Sequence, residues 1–102
     1  MKLWIDDLRP APDGYVWCKT VNEAKTLIEC TRSLCCDHHS IIELIDIDHD
    51  AGEFSQFGGD YIKLLDWLED QQYHYPIHIH SMNPVGVENM RRIIRRNHWV
   101  EL

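Results

Sequence analysis

The stretch Leu44 to Asp50, LIDIDHD, constrains the fold more than any other part of this chain. Alternation at period two puts Ile45 and Ile47 on one face of an extended strand and Asp46 and Asp48 on the other. One face must be buried, yet the strand finishes where Asp48, Asp50 and the His49 imidazole gather. Either the chain turns out into water there, or these groups are collected to hold something positive.

Similar short runs recur. Lys2 to Ile5, KLWI, meets Asp6 and Asp7 and then the Pro/Gly-rich RPAPDG, which predicts a buried strand running into a loop. Tyr15 to Lys19, YVWCK, is aromatic and β-branched and predicts a second strand. A third covers Ile41 to Asp48, and IHIHS after Pro76 is a fourth. Thr20 and Glu23 form a capping box that opens a helix, with Val21, Ala24 and Ile28 on one face, and CCDHHS ends it. Tyr61, Leu64, Leu65 and Leu68 give the next helix its apolar face. Asn83 and Pro84 open a third, since asparagine caps well and proline suits a first turn; Val87, Met90 and Ile94 face inward on it. The closing WVEL either adds a fifth, edge strand or packs Trp99.

Strands alternating with helices after the opening strand pair imply an α/β architecture: a short, mostly parallel sheet between helices, in three layers. A length of 102 residues fits one domain, 1–102. Such sheets bind ligands beyond the carboxyl ends of their strands. That rule brings Asp6 and Asp7, Asp48 to Asp50, and His80 to Asn83 onto one rim.

Carboxylates from Asp6, Asp7 and Asp48, with Asp50 turning back from its loop, repel one another unless some are protonated or a cation sits among them. Hard oxygen ligands favour Mg²⁺, Mn²⁺ or Ca²⁺. His49 and His80 titrate nearest neutral pH and are the candidate proton carriers. Ser81, Asn83 and the N–H groups that open the last helix suit an anionic group such as a phosphate, and Arg9 can grip a phosphoryl oxygen through its planar fork. Each feature also has a plainer reading: a solvated turn at Asp48 to Asp50, turn and cap roles for Asp6, Asp7 and Asn83, a surface ion pair for Arg9, a strand-end hydroxyl for Ser81. His78, on the same strand face as His80, reads as a hydrogen-bonded structural histidine. CCDHH suggests zinc but lacks a separated second ligand pair.

A net charge of −7 argues against binding driven by a nucleic-acid backbone, and no sequence-specific DNA partner is expected. Arg91, Arg92, Arg95 and Arg96 cluster on the last helix; this reads as a solvated face, with contact to RNA phosphates as the alternative. No apolar run approaches the roughly 20 residues of a membrane helix, and MKLWIDD lacks the long apolar stretch of a signal peptide. No membrane partner, a cytoplasmic location and reduced thiols at the four cysteines are therefore expected.

Taken together, DDLRPAPDGYVW, IDHDAG and HSMNPVGVENM, in that order on three strand ends, resemble the cyclic-phosphate-processing receiver domains, an offshoot of the response-regulator receiver superfamily. The resemblance spans nearly the whole chain and implies a receiver-like (flavodoxin-like) fold. It implies that Asp6 and Asp7 are the acidic pair after the first strand, that Asp48 stands where ordinary receivers are phosphorylated, and that Ser81 is their small hydroxyl residue. His49, Asp50, His80 and Asn83 match the offshoot's own additions. The implied activity is metal-assisted opening or transfer of a cyclic phosphodiester, the substrate being a small cyclic phosphodiester or an RNA-type terminus.

The expected roles follow. Asp6, Asp7, Asp48 and Asp50 hold a divalent cation, Mg²⁺ or Mn²⁺; His49, His80 and Asp48 are catalytic; Arg9, Ser81 and Asn83 bind substrate. The chain lacks the receivers' final strand ending in lysine and reads HDAGEF where they place Met-Pro. Both departures weaken the alternative, a degenerate receiver used for signalling or binding with Asp48 as phosphoacceptor. Asp46 and Ala51 are atypical of the offshoot, Asp46 being an extra acid expected to alter metal affinity.

Overall fold

A computed structural model describes residues 1–33 and 41–102; the CCDHH run lies outside the described residues. The elements are β1 (Lys2–Ile5), β2 (Tyr15–Cys18), α1 (Val21–Arg32), β3 (Leu44–Ile47), a 3₁₀ turn (Gly52–Gln56), α2 (Ile62–Gln71), β4 (Ile77–Ile79) and α3 (Pro84–Arg96). All strand pairs are parallel, in the order β2-β1-β3-β4. This is the receiver-like α/β class expected from the sequence.

The helix starts form as their cap residues dictate. Thr20 Oγ1 accepts from the Glu23 N–H at 2.9 Å, and Asn83 Oδ1 accepts from the Gly86 N–H at 3.0 Å with Pro84 in the first turn. Several expected positions shift inward. β3 begins at Leu44, not Ile41, because the backbone before it serves the N-terminus: the Met1 ammonium donates to Ile41 O and the Glu43 N–H to Met1 O, both at 2.8 Å. On α3 the first inward position belongs to Gly86, and Val87 is only half-buried. WVEL supplies both expected outcomes in part, since Glu101 bridges Ile77 beside β4 and Trp99 is buried.

The layer count departs from expectation. The connections β2-α1-β3 and β3-α2-β4 both step the same way across the sheet, so right-handed crossovers put both helices on one face. α2 packs against α1 and α3 alike. Accordingly Val21, Ile28, Leu64, Leu68, Met90 and Ile94 share a single core with Leu3, Ile5, Ile45, Ile47 and Ile77. The opposite sheet face carries Trp4, Trp17, Asp46 and His78, neighbours by register, and none of the described helices lies on it. The link between β1 and β2, residues 6–14, is shorter than a helical crossover needs, so no described helix covers that face.

Candidate functional site

The strand ends deliver the predicted groups to one rim: Asp6 and Asp7 follow β1, Asp48 follows β3 and His80 follows β4. A cleft of about 360 Å³ opens there. Asp7, Asp48 and Asp50 line it together with Arg9, Ser81 and Asn83, and Leu8 and Met82 complete its wall. A larger groove of about 720 Å³ beside β2 and α1 is walled by Val16, Leu27, Phe54 and Phe57 and has Glu23 as its one acid. The smaller cleft is where the charged chemistry converges.

Asp6 is almost wholly buried, and both its oxygens are engaged. Oδ1 accepts the Leu8 and Arg9 N–H groups at 2.9 Å each, shaping the turn after β1, while Oδ2 lies 2.8 Å from His80 Nε2. Burial pushes its carboxyl up, but the bonds from Arg9, Leu8 and His80 outweigh that and hold it below the ordinary carboxylate value. Asp7 has the opposite balance. Burial raises its pKa, and the charges of Asp6 and Asp48 raise it further.

His80 stands between two acids: Nδ1 is 2.6 Å from Asp46 Oδ1 and Nε2 faces Asp6. Its side chain is only 9% exposed, and burial alone would favour the neutral ring. The Asp46 and Asp6 bonds win and raise its pKa above the ordinary imidazole value, a carboxylate facing each ring nitrogen. Asp46 also takes His78 Nδ1 at 2.9 Å, which makes His78 the structural histidine expected. Burial pushes Asp46 up, and its bonds from His80 and His78 bring it below the usual value.

His49 leans the other way. Its Nδ1 is 2.8 Å from Asp50 Oδ1, and its ring lies so close to Gly86 that a Cβ there would strike it. The Asp48 carboxylate accepts the His49 N–H at 2.7 Å, and Asn83 Nδ2 reaches both Asp50 oxygens at 3.4 and 3.5 Å. Ser81 Oγ accepts the Asn83 N–H at 3.1 Å, and Arg9 Nη1 donates to His80 O at 2.9 Å. The structure therefore brings all nine predicted residues together, but neither histidine ring lines the cleft; each backs a carboxylate.

One ligand atom each from Asp6, Asp48 and His80 lie within 4.8 Å of one another, a possible metal-binding group. His80 joins it only by releasing a carboxylate, because both ring nitrogens are committed. The cleft side offers hard oxygen donors in Asp7 and Asp48. That donor set fits a hard divalent cation.

A family model for the cyclic-phosphate processing receiver domain matches residues 1–96. The chain belongs to this family. In this cyclic-phosphate processing receiver domain the acidic rim stands beside the buried Asp6-His80-Asp46 row. No curated protein and no solved structure matched it.

Sequence reasoning missed several groups that shape the domain's site. Asp46, read as an extra acid bearing on metal, instead pairs His78 and His80. Asp60 Oδ1 accepts the Ala51 N–H at 3.0 Å and turns the loop after Asp50. Gly52, at φ +56°, passes so close that a Cβ would lie 2.6 Å from Asp7 Oδ2. Alternation in KLWI and LIDI was the available signal for Trp4 and Asp46, which it sets on the face away from the buried Leu3, Ile5 and Ile45. The arginines of α3 are mostly paired: Arg91 with Glu101, Arg95 with Glu88 and Arg96 with Glu69.

Proposed function

We propose that this domain opens a cyclic phosphodiester, such as an RNA-type terminal cyclic phosphate, with the help of a divalent cation, by hydrolysis or by transfer to an acceptor hydroxyl. The observation that carries this reading is the convergence of Asp7 and Asp48 with Arg9 and the α3 N-terminus on one cleft. Asp7 and Asp48 would hold the cation, with Asp6 behind them; when bound, the cation neutralises phosphoryl oxygens and polarises phosphorus.

The chain's own residues supply the rest. The guanidinium of Arg9, steadied by its bond to His80 O, binds a non-bridging oxygen, and the positive end of the α3 dipole favours the phosphoryl charge. Asp50 takes a proton from the attacking water and shares it with His49 through their 2.8 Å contact. The water oxygen bonds to phosphorus, the ring P–O bond opposite breaks, and the departing oxygen takes a proton from bulk water at the open cleft. His80 is a positioning residue in this scheme: it fixes Asp6 and, through its carbonyl, Arg9. Proton transfer of this kind contributes about 10²–10⁴-fold.

Among the described residues no lysine lines the cleft, which supports the hydrolase over a phosphoacceptor receiver. The test is a screen of small cyclic phosphodiesters with Mg²⁺, Mn²⁺ or chelator, run beside Asp48→Asn. Turnover that needs metal and drops at least 100-fold in the variant is expected; equal signals in every arm reject the reading.

A further inference from the structure

We infer that Leu8 and Met82 form an apolar clamp that selects a cyclic phosphate carried on a nucleoside, gripping its planar base, over one carried on a polyol. This rests on the cyclic-phosphate reading of the same cleft. Three of the eight exposed large apolar side chains in the described chain crowd this rim: Leu8 is 80% exposed, Met82 82% and Val85 71%. Leu8 and Met82 belong to the cleft lining itself, beside groups that are otherwise charged or polar.

Their placement is fixed by the fold. Leu8 follows β1 and Met82 follows β4, and these strands flank β3, so the two residues reach the cleft from the loops on either side of the strand that ends at Asp48. The Leu8 N–H is bound to Asp6 Oδ1 at 2.9 Å, so its backbone is set before any ligand arrives. Ser81 Oγ accepts the Asn83 N–H and spans Met82 in the same way. A base entering between them removes apolar surface from water and meets a thioether suited to an aromatic ring. A polyol would set its hydroxyls against two walls that offer no hydrogen bond. A cleft of about 360 Å³ lies at the small end of ligand pockets, the size for a single nucleotide unit.

The experiment compares uridine 2′,3′-cyclic phosphate with glycerol 1,2-cyclic phosphate in the wild type and in the double variant Leu8→Ser, Met82→Ser. Both positions are exposed, so folding is preserved, and a melting curve checks it. The wild type should prefer the uridine ester, and the double variant should cut the ratio of kcat/KM values by about tenfold or more, through KM. Equal handling of both esters by the wild type, or an unchanged ratio in the variant, overturns the clamp while leaving the proposed reaction intact. Should neither ester turn over, the proposed reaction falls, and the clamp is decided by calorimetric binding of uridine 3′-monophosphate against glycerol phosphate. Base-dependent affinity that the double variant removes upholds the clamp; affinity that ignores the base rejects it.

Discussion

The imidazole of His80 lies flat against the indole of Trp4, ring centroids 3.9 Å apart and planes 3° from parallel. Trp4 in turn donates from Nε1 to Arg9 O at 2.8 Å, so one aromatic ring covers the buried ionic row and anchors the loop bearing Arg9. A cation stacked on the face of tryptophan, with a carboxylate at each nitrogen, is stabilised from every side. The row is thus a structural post under the cleft.

Removing the central member of such a row leaves two buried carboxylates facing a void. His80→Ala should lower unfolding free energy by about 3–5 kcal/mol, as expected when one partner of a buried ion pair is deleted. Urea denaturation followed by tryptophan fluorescence measures it; a loss within about 0.5 kcal/mol would show the ring carries no such load.

Stability should follow pH on both flanks. Folding raises the His80 pKa, so its contribution is full below the unfolded value of about 6.5 and fades as pH climbs through the folded one. Folding lowers Asp6 and Asp46, so theirs is present above about 3.9 and fades as pH falls through their folded values. Melting temperature should therefore be highest between about pH 4 and 6.5, and His80→Gln should flatten the alkaline decline. A wild-type melting temperature that rises from pH 7 to 9 contradicts this.

Burial first, and then the charges of Asp6 and Asp48, raise the Asp7 pKa. Asp7→Asn should raise the melting temperature in chelator by relieving repulsion from Asp6 and Asp48, yet abolish the stabilisation that Mg²⁺ or Mn²⁺ gives the wild type. Saturating metal at 100 times its Kd is worth about 2.7 kcal/mol to the wild type. Thermal melts of both proteins with and without metal decide it, and identical metal shifts would remove Asp7 from the donor set.

Gly52 needs both its left-handed backbone and its missing side chain. Gly52→Ala should destabilise by about 1 kcal/mol or more from φ alone and also push the Asp7 carboxylate out of place. Metal affinity, read by calorimetry, should fall in this variant; an unchanged affinity would mean that Asp7 moves aside freely.

Residue order and periodicity alone fixed which segments become strands and helices, that Ile45 and Ile47 enter the core, and that Asp6, Asp7, Asp48 and Ser81 share the carboxyl rim. Those are local properties, because alternation and caps act over a few residues and parallel topology carries strand ends to one edge. What only tertiary structure decided is which rim groups face the cleft. His80 read as a candidate proton carrier until β1 and β3 placed Asp6 and Asp46 at its two nitrogens, and the 3.9 Å Trp4 stack covered it. The placement of the described helices on one sheet face and the Gly86 contact with His49 were equally out of reach, since both depend on how closely distant segments approach, a quantity that no pattern within one segment encodes.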